Sequence, residues 1–253
     1  MPWIAAERGP DDTPTHRPWR WWTALIAAVI VVALTIFVPI IGVAVYQFVQ
    51  LGNENPTPEE LRAAILNPGP LVIALLIGQI LTTIAIAGLA GYGRLSWADA
   101  LALRPPVLSW RIAAAIAGLV VLFLMFDEVL AFYYRDELTR DGEMVVSLLN
   151  SDIRVAAILL AVVGAPISEE LLFRGFLYPA FARSRIGSIG AALVTTALWT
   201  GLHAYSIAGS IEIALFGLGL CWVLTKTKSL WPCIALHAAL NAVFCALAIL
   251  AAG

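Results

Sequence analysis

A small group of polar side chains interrupts the apolar C-terminal part of the sequence. The stretch GAPISEELLFRGF places two carboxylates and a guanidinium within six residues, at Glu169, Glu170 and Arg174. Glu170 and Arg174 are four residues apart with the acid first, which is the favourable order for an ion pair on one helix face. Glu169 is rotated about 100° from its neighbour. The Glu169 carboxylate therefore takes no part in the ion pair, and a carboxylate of this kind can act as a general base.

Two histidine motifs follow this stretch. ALWTGLHAYS places Trp199 and His203 four residues apart on one helix face, and LHAALNA gives His237 and Asn241 the same spacing, so that they can point at a common place. The chain has only three histidines, and the third, His16, lies near the N-terminus. A single histidine in an apolar helix is more often a structural hydrogen-bonding group than a catalytic one. Two histidines with an amide and a left-over acid instead predict a shared reacting site.

The order of these residues gives a geometric test of a shared site. Glu169 and His203 are placed symmetrically about residue 186, so an antiparallel helix pair would bring them to equal depth. At 1.5 Å per residue both lie about 25 Å from the turn at 183–187, whereas His237 is only a few residues into its own span. Either the hairpin extends beyond its neighbours, or the last span begins earlier than the sequence predicts.

A proline precedes the two acids. Pro166 removes a backbone donor three residues before Glu169. The freed carbonyl could face the polar group, or the helix could simply tolerate the proline. The sequence leaves both interpretations open.

Composition decides the class of protein that carries these residues. Hydrophobic residues make up 61% of the chain and charged residues 13%, with a mean hydropathy of +0.89, so lipid must solvate much of the surface. The apolar runs are long and do not alternate, which favours helices over barrel strands. The net charge of -2 carries no information about partners, and there is no basic patch that would suggest nucleic acid. We predict an all-α polytopic integral membrane protein.

Seven apolar stretches, within a range of six to eight, are long enough to span a bilayer. They are 21–49, 70–93, 110–134, 153–182, 187–206, 207–224 and 231–250, separated by breakers such as GNENPTP and RDELTRDGE. We divide the chain into a disordered cytosolic tail at 1–20, N-terminal transmembrane helices at 21–152 and a core at 153–250 that holds the polar group.

Basic residues in the connections predict the orientation. One side would carry Arg8, Arg17, Arg20, Arg94, Arg104, Arg111, Arg183, Arg185, Lys226 and Lys228, and the other Arg62, Arg135, Arg140 and Arg154. Ten basic residues on the side of the N-terminus against four on the other side predict a multi-pass protein of the cell membrane with a cytosolic N-terminus.

The three motifs together resemble a known family. E-E-x-x-x-R from Glu169 to Arg174, aromatic-x-x-x-H from Trp199 to His203 and H-x-x-x-N from His237 to Asn241 are similar to the CPBP (Abi) family. This family comprises type II CAAX prenyl endopeptidases and bacteriocin-processing intramembrane proteases. The resemblance covers residues 153–250. The second motif usually begins with phenylalanine, and we expect the tryptophan found here to affect only packing and to leave the role of His203 unchanged.

The resemblance implies an intramembrane endopeptidase acting on a membrane-associated or prenylated protein or peptide. In that mechanism Glu169 and His203 activate a water molecule, while His237 and Asn241 stabilise the oxyanion. The supporting residues would be Glu170, Arg174 and Trp199.

The family is also described as metalloproteases, which raises the question of a cofactor. Glu169, His203 and His237 could provide a His2Glu site for a divalent metal such as zinc, with one position open for water. There is no H-E-x-x-H motif and no pair of histidines one turn apart. Metal-assisted and metal-free water attack therefore both remain open.

Two other functions fit the same residues. Some members of the family are thought to act as non-catalytic membrane scaffolds or bacteriocin-immunity proteins. An ion-coupled transporter could also use the buried acids as a proton relay, although the lack of an internal repeat counts against it.

Overall fold

The computed structural model describes residues 19–50, 57–65, 67–92 and 96–252. The helices formed by these residues are α1 (Trp21–Gln50), α2 (Pro58–Ile65), α3 (Pro68–Gly91), α4 (Trp97–Ala100), α5 (Trp110–Leu149), α6 (Arg154–Ala182), α7 (Gly187–His203), α8 (Ile207–Thr227) and α9 (Trp231–Ala252). No strand occurs among them, which confirms the all-α prediction. Most of the predicted N-terminal tail, residues 1–18, lies outside the described part.

Six helices in the described ranges are long and apolar enough to cross a membrane, namely α1, α3, α5, α6, α8 and α9. This confirms a multi-pass membrane protein at the lower end of the predicted range. The predicted fifth span, 187–206, corresponds to α7, which has only 17 residues. It ends early because Ala204 takes a left-handed conformation (φ 52°) and Ser206 caps the next helix, its side chain accepting a hydrogen bond from the Gly209 N–H.

The stretch RDELTRDGE, residues 135–143, is helical and is not the loop that the sequence predicted. Helix α5 reaches Leu149 but is kinked at Tyr134, whose dihedral angles are non-helical (φ −128°, ψ 29°), so the predicted end of the third span at residue 134 coincides with a break in the helix. The stretch is helical because arginine, glutamate and leucine favour helix strongly, so charge alone does not end one. We call residues 135–149 the cap segment. Its Leu149 is fully buried in a cluster with Val72 of α3 and Cys245 of α9.

Helix α6 contains two π-helical segments, Leu159–Gly164 and Glu170–Leu177. After the first, the Ala165 N–H bonds to the Leu160 carbonyl, five residues back instead of four. The next residue is Pro166, which has no N–H. In the same pattern the Ala161 carbonyl would accept from residue 166, so it has no backbone donor.

The hairpin of α6 and α7 extends beyond the start of α9. A methyl group on Gly175 would lie 3.1 Å from Leu101 and 3.2 Å from Leu230, the residue that directly precedes α9. Gly175 is thus level with the beginning of α9, and residues 176–186 lie beyond it. This removes the depth mismatch that the sequence predicted for His237, in favour of the first of the two explanations.

Helices α1 and α3 pack through small and hydroxyl-bearing residues. The Thr82 hydroxyl donates to the Thr35 hydroxyl over 3.0 Å. Gly78 lies so close to α1 that an added Cβ would be 2.5 Å from the Thr35 carbonyl oxygen. Without a side chain at this position the two backbones can approach closely.

This contact predicts the effect of a single methyl group. Gly78→Ala should lower the free energy of unfolding by about 1–3 kcal/mol, because the backbones must separate to admit the new atom. The matched control is Gly88→Ala on the same helix, where nothing lies within 4 Å of the added Cβ. Thermal unfolding in detergent measures both, and equal melting temperatures would contradict the close α1–α3 contact.

Candidate active site

The predicted ion pair lies at the centre of the polar group. Arg174 Nη1 donates to Glu170 Oε1 over 3.0 Å, and neither side chain has any exposed surface. His237 Nδ1 lies 3.0 Å from the same carboxylate oxygen. The sequence predicted the first contact from its i,i+4 spacing, but not the second, which joins residues 67 positions apart. Glu170 therefore holds both a guanidinium and an imidazole.

Two further helices surround Arg174. Its guanidinium lies 4.5 Å from the Trp199 ring centroid, in a cation–π arrangement. Its Nη2 donates to the Gly217 carbonyl of α8 over 3.4 Å. A Cβ on Gly217 would come within 2.8 Å of that nitrogen and 3.1 Å of the Trp199 ring. Helix α8 can approach the ion pair only because this residue has no side chain.

Glu169 is not part of the ion pair, as the sequence predicted. Its Oε2 accepts a hydrogen bond from Trp199 Nε1 over 2.6 Å. The expectation that tryptophan in place of the usual phenylalanine affects only packing is thus wrong, because phenylalanine has no N–H to donate. The indole fixes the carboxylate of α6 against α7.

His203 lies one helical turn beyond Trp199, and its ring Nδ1 is 2.9 Å from the Trp199 carbonyl oxygen. A carbonyl oxygen can only accept, so Nδ1 must carry the proton. In the neutral ring this leaves Nε2 as a proton acceptor. Trp199 therefore bonds to Glu169 through its indole and to His203 through its backbone. Glu169 and His203, the two residues predicted to activate the water, are thus both hydrogen-bonded to Trp199.

His237 and Asn241 do not share a hydrogen-bonding partner. His237 Nδ1 faces Glu170, whereas Asn241 Nδ2 donates to the Ala161 carbonyl over 2.7 Å. The Ala161 carbonyl has no backbone donor in the π-helical pattern, because the residue five positions on is Pro166. The Asn241 side chain of α9 supplies the hydrogen bond instead, so Pro166 frees a carbonyl that faces the polar group. An amide nitrogen carries two hydrogens, so one N–H of Asn241 remains for another acceptor.

The predicted metal ligands are not gathered in a metal-binding arrangement. Within the described ranges, no group of three or more histidine, cysteine, aspartate or glutamate side chains is placed to hold a metal ion. Glu169 is engaged by Trp199, and His237 directs Nδ1 at Glu170. Assistance by a metal such as zinc stays a prediction.

Two aromatic contacts around the histidines were not predicted from the sequence. The Tyr205 ring lies 5.3 Å from the His203 ring, and the Phe216 ring lies 5.7 Å from the His237 ring. Phe216 also lines an apolar pocket between α5, α8 and α9, with Leu119 and Leu240 among its other residues. An aromatic residue in an apolar helix is too common to mark a site. Only Tyr205, two residues after His203, offered a local signal.

Comparisons with known proteins bear on the same region. Residues 151–243 match the model of the Rce1-like family, described as type II CAAX prenyl endopeptidase Rce1-like. No curated protein and no solved structure matches. The matched range begins just before α6 and ends in α9, so it contains all three motifs from which the resemblance was inferred. The match covers residues 151–243, so this part of the chain is similar to the Rce1-like type II CAAX prenyl endopeptidases, a family of membrane proteases.

Proposed function

We propose that this protein is an intramembrane endopeptidase that hydrolyses a peptide bond of a membrane-associated protein, with Glu169 and His203 activating the water. The observation that carries the proposal is the double contact of Trp199, whose indole holds Glu169 and whose carbonyl holds His203. These contacts keep a carboxylate and an imidazole, whose Nε2 is unprotonated in the neutral ring, both next to Trp199. Both groups are proton acceptors of the kind that general base catalysis requires.

The reaction follows from these groups. The water oxygen attacks the substrate carbonyl carbon while a proton passes to Glu169 or His203, giving a tetrahedral intermediate with a negative oxygen. The carbon–nitrogen bond then breaks, and the same proton moves to the leaving amine. One water is consumed, and the products are a carboxylic acid and an amine.

His237 and Asn241 are the proposed donors to the negative oxygen. His237 Nδ1 lies 3.0 Å from Glu170 Oε1, which fixes the direction of the imidazole ring. With Nδ1 bound there, Nε2 is the ring nitrogen that can donate to the negative oxygen when it carries a proton. Asn241 is anchored by one N–H on Ala161 and supplies the other. Donors fixed before the reaction, away from bulk water, stabilise a developing oxyanion strongly.

A substitution of the proposed base tests this function. Glu169→Gln keeps an acceptor for Trp199 but removes the proton-accepting carboxylate. We expect the turnover of prenylated or unprenylated membrane peptides to fall by about 10²–10⁴-fold with the melting temperature unchanged. Cleavage by purified protein measures the first quantity, and thermal unfolding in detergent the second. The matched control is Glu128→Gln, an exposed carboxylate on α5.

The same experiment separates the alternatives. Unchanged cleavage by Glu169→Gln would contradict the proposed mechanism. A protein that cleaves nothing, and whose cellular phenotype survives Glu169→Gln, would be a scaffold or immunity protein, whereas ion or solute flux in proteoliposomes would indicate a transporter. Metal analysis of wild type and variant, measured on the same preparations, tests metal assistance.

The ion pair should behave differently from the proposed base. Arg174→Leu leaves Glu170 buried without its guanidinium, which should lower the free energy of unfolding by about 3–5 kcal/mol. Unfolding in detergent is the measurement. The double variant Glu170→Gln/Arg174→Leu should recover part of the loss, because no uncompensated charge remains. Arg185→Leu, at an exposed position in the α6–α7 turn, is the control. A stable Arg174→Leu protein would contradict a structural role for the pair.

A further inference from the structure

The cap segment is hydrogen-bonded to the turn that follows His203. Asp141 Oδ1 accepts from the Ser206 backbone N–H over 2.9 Å, and its Oδ2 accepts from the Ser206 hydroxyl over 2.6 Å. The two residues are 65 positions apart. Both carboxylate oxygens therefore hold one residue, and a charged acceptor makes such bonds stronger than neutral ones.

The turn held by Asp141, between α7 and α8, is short. Only three residues separate the last residue of α7, His203, from the first residue of α8, Ile207. One of them, Ala204, has a left-handed backbone (φ 52°), a conformation that costs a non-glycine residue roughly 1–2 kcal/mol. Because the turn is short and strained, the position of Ser206 determines how α7 ends and where the His203 ring lies.

Neighbouring residues pack closely against the Asp141 carboxylate. Gly209, in the first turn of α8, has no room for a side chain because an added Cβ would clash with the Asp141 carboxylate. Tyr205, the residue before Ser206, packs its ring against that of His203. Burial, and then the charges of Glu169, Asp141 and Glu212, raise the pKa of Tyr205, so its hydroxyl stays protonated.

We infer that Asp141 is a positioning residue for His203, acting through Ser206 and the α7–α8 turn. The carboxylate fixes the direction of Nε2 without touching substrate. The cap segment then does more than cover apolar surface, because it sets the geometry of the base. The inference rests on the proposed function only in treating His203 as a base, since the contact itself does not depend on activity.

The test begins with a measurement that needs no substrate. The protein has three histidines, so labelling histidine with ¹³C at Cε1 gives three signals in detergent, assigned by His203→Asn and His16→Asn. In Asp141→Ala the His203 signal should move, while the His237 signal, from a ring held by Glu170, should stay. Glu143→Ala, an exposed acid two residues along the cap segment, should move neither.

Activity gives the second measurement. Displacing a catalytic group by about 1 Å can cost on the order of 10²-fold in rate. We therefore expect kcat of Asp141→Ala to fall about 10–100-fold with KM nearly unchanged. Asp141→Asn, which retains an acceptor for the Ser206 N–H, should recover most of the activity. Ser206→Ala, which keeps the backbone bond but loses the hydroxyl bond, should be intermediate.

The outcomes are distinguishable. A His203 signal that does not move in Asp141→Ala, or that moves equally in Glu143→Ala, overturns the inference whatever the activity does. A His237 signal that moves together with that of His203 means a general loss of structure and also overturns it. If the His203 signal moves alone but wild type cleaves no peptide, the positioning role stands and the proposed function fails.

Discussion

A guanidinium with no exposed surface must find all of its stabilisation inside the helix bundle, and Arg174 contacts three helices. Glu170 of α6 neutralises its charge, the Trp199 ring of α7 lies against its face, and the Gly217 carbonyl of α8 accepts a hydrogen bond. Helix α9 joins through His237, which shares the Glu170 oxygen. Desolvating two charges is costly, and a buried ion pair by itself is weak support for stability. Its effect here is to orient side chains.

The proposed reacting groups depend on this arrangement in different ways. His237 is oriented directly by Glu170, and Trp199, which contacts Arg174, holds both Glu169 and His203. Asn241 alone is anchored elsewhere, on a backbone carbonyl. The charged pair thus contacts His237 directly and the other two proposed reacting groups through Trp199, while remaining buried itself. This separates the two adjacent glutamates: Glu170 is engaged in the buried network, whereas Glu169 lies outside the ion pair and is the one proposed for chemistry.

The sequence predicted the parts of this site that depend on contacts within one helix. The Glu170–Arg174 pair, the shared face of Trp199 and His203 and the left-over Glu169 all follow from a spacing of 3.6 residues per turn. The contacts of His237 with Glu170 and of Asp141 with Ser206 could not be predicted, since each joins residues more than 60 positions apart and no local pattern encodes them. Helix α5 was misjudged because its charged stretch was interpreted as a loop, although most of its residues favour helix.

The first π-helical segment of α6 affects which insertions and deletions the site could tolerate in evolution. A π turn holds one more residue than the α-helical turn it replaces, so losing one residue from Leu159–Gly164 would restore an ordinary helix. The extra residue is absorbed inside the π turn, so the parts of α6 before and after it keep their relative rotation. Without the π turn, the same extra residue would rotate one part against the other by about 100°, which is the angle that separates Glu169 from Glu170. The π turn is therefore the place where α6 can gain or lose one residue while the same glutamate stays opposite its partners on the other helices.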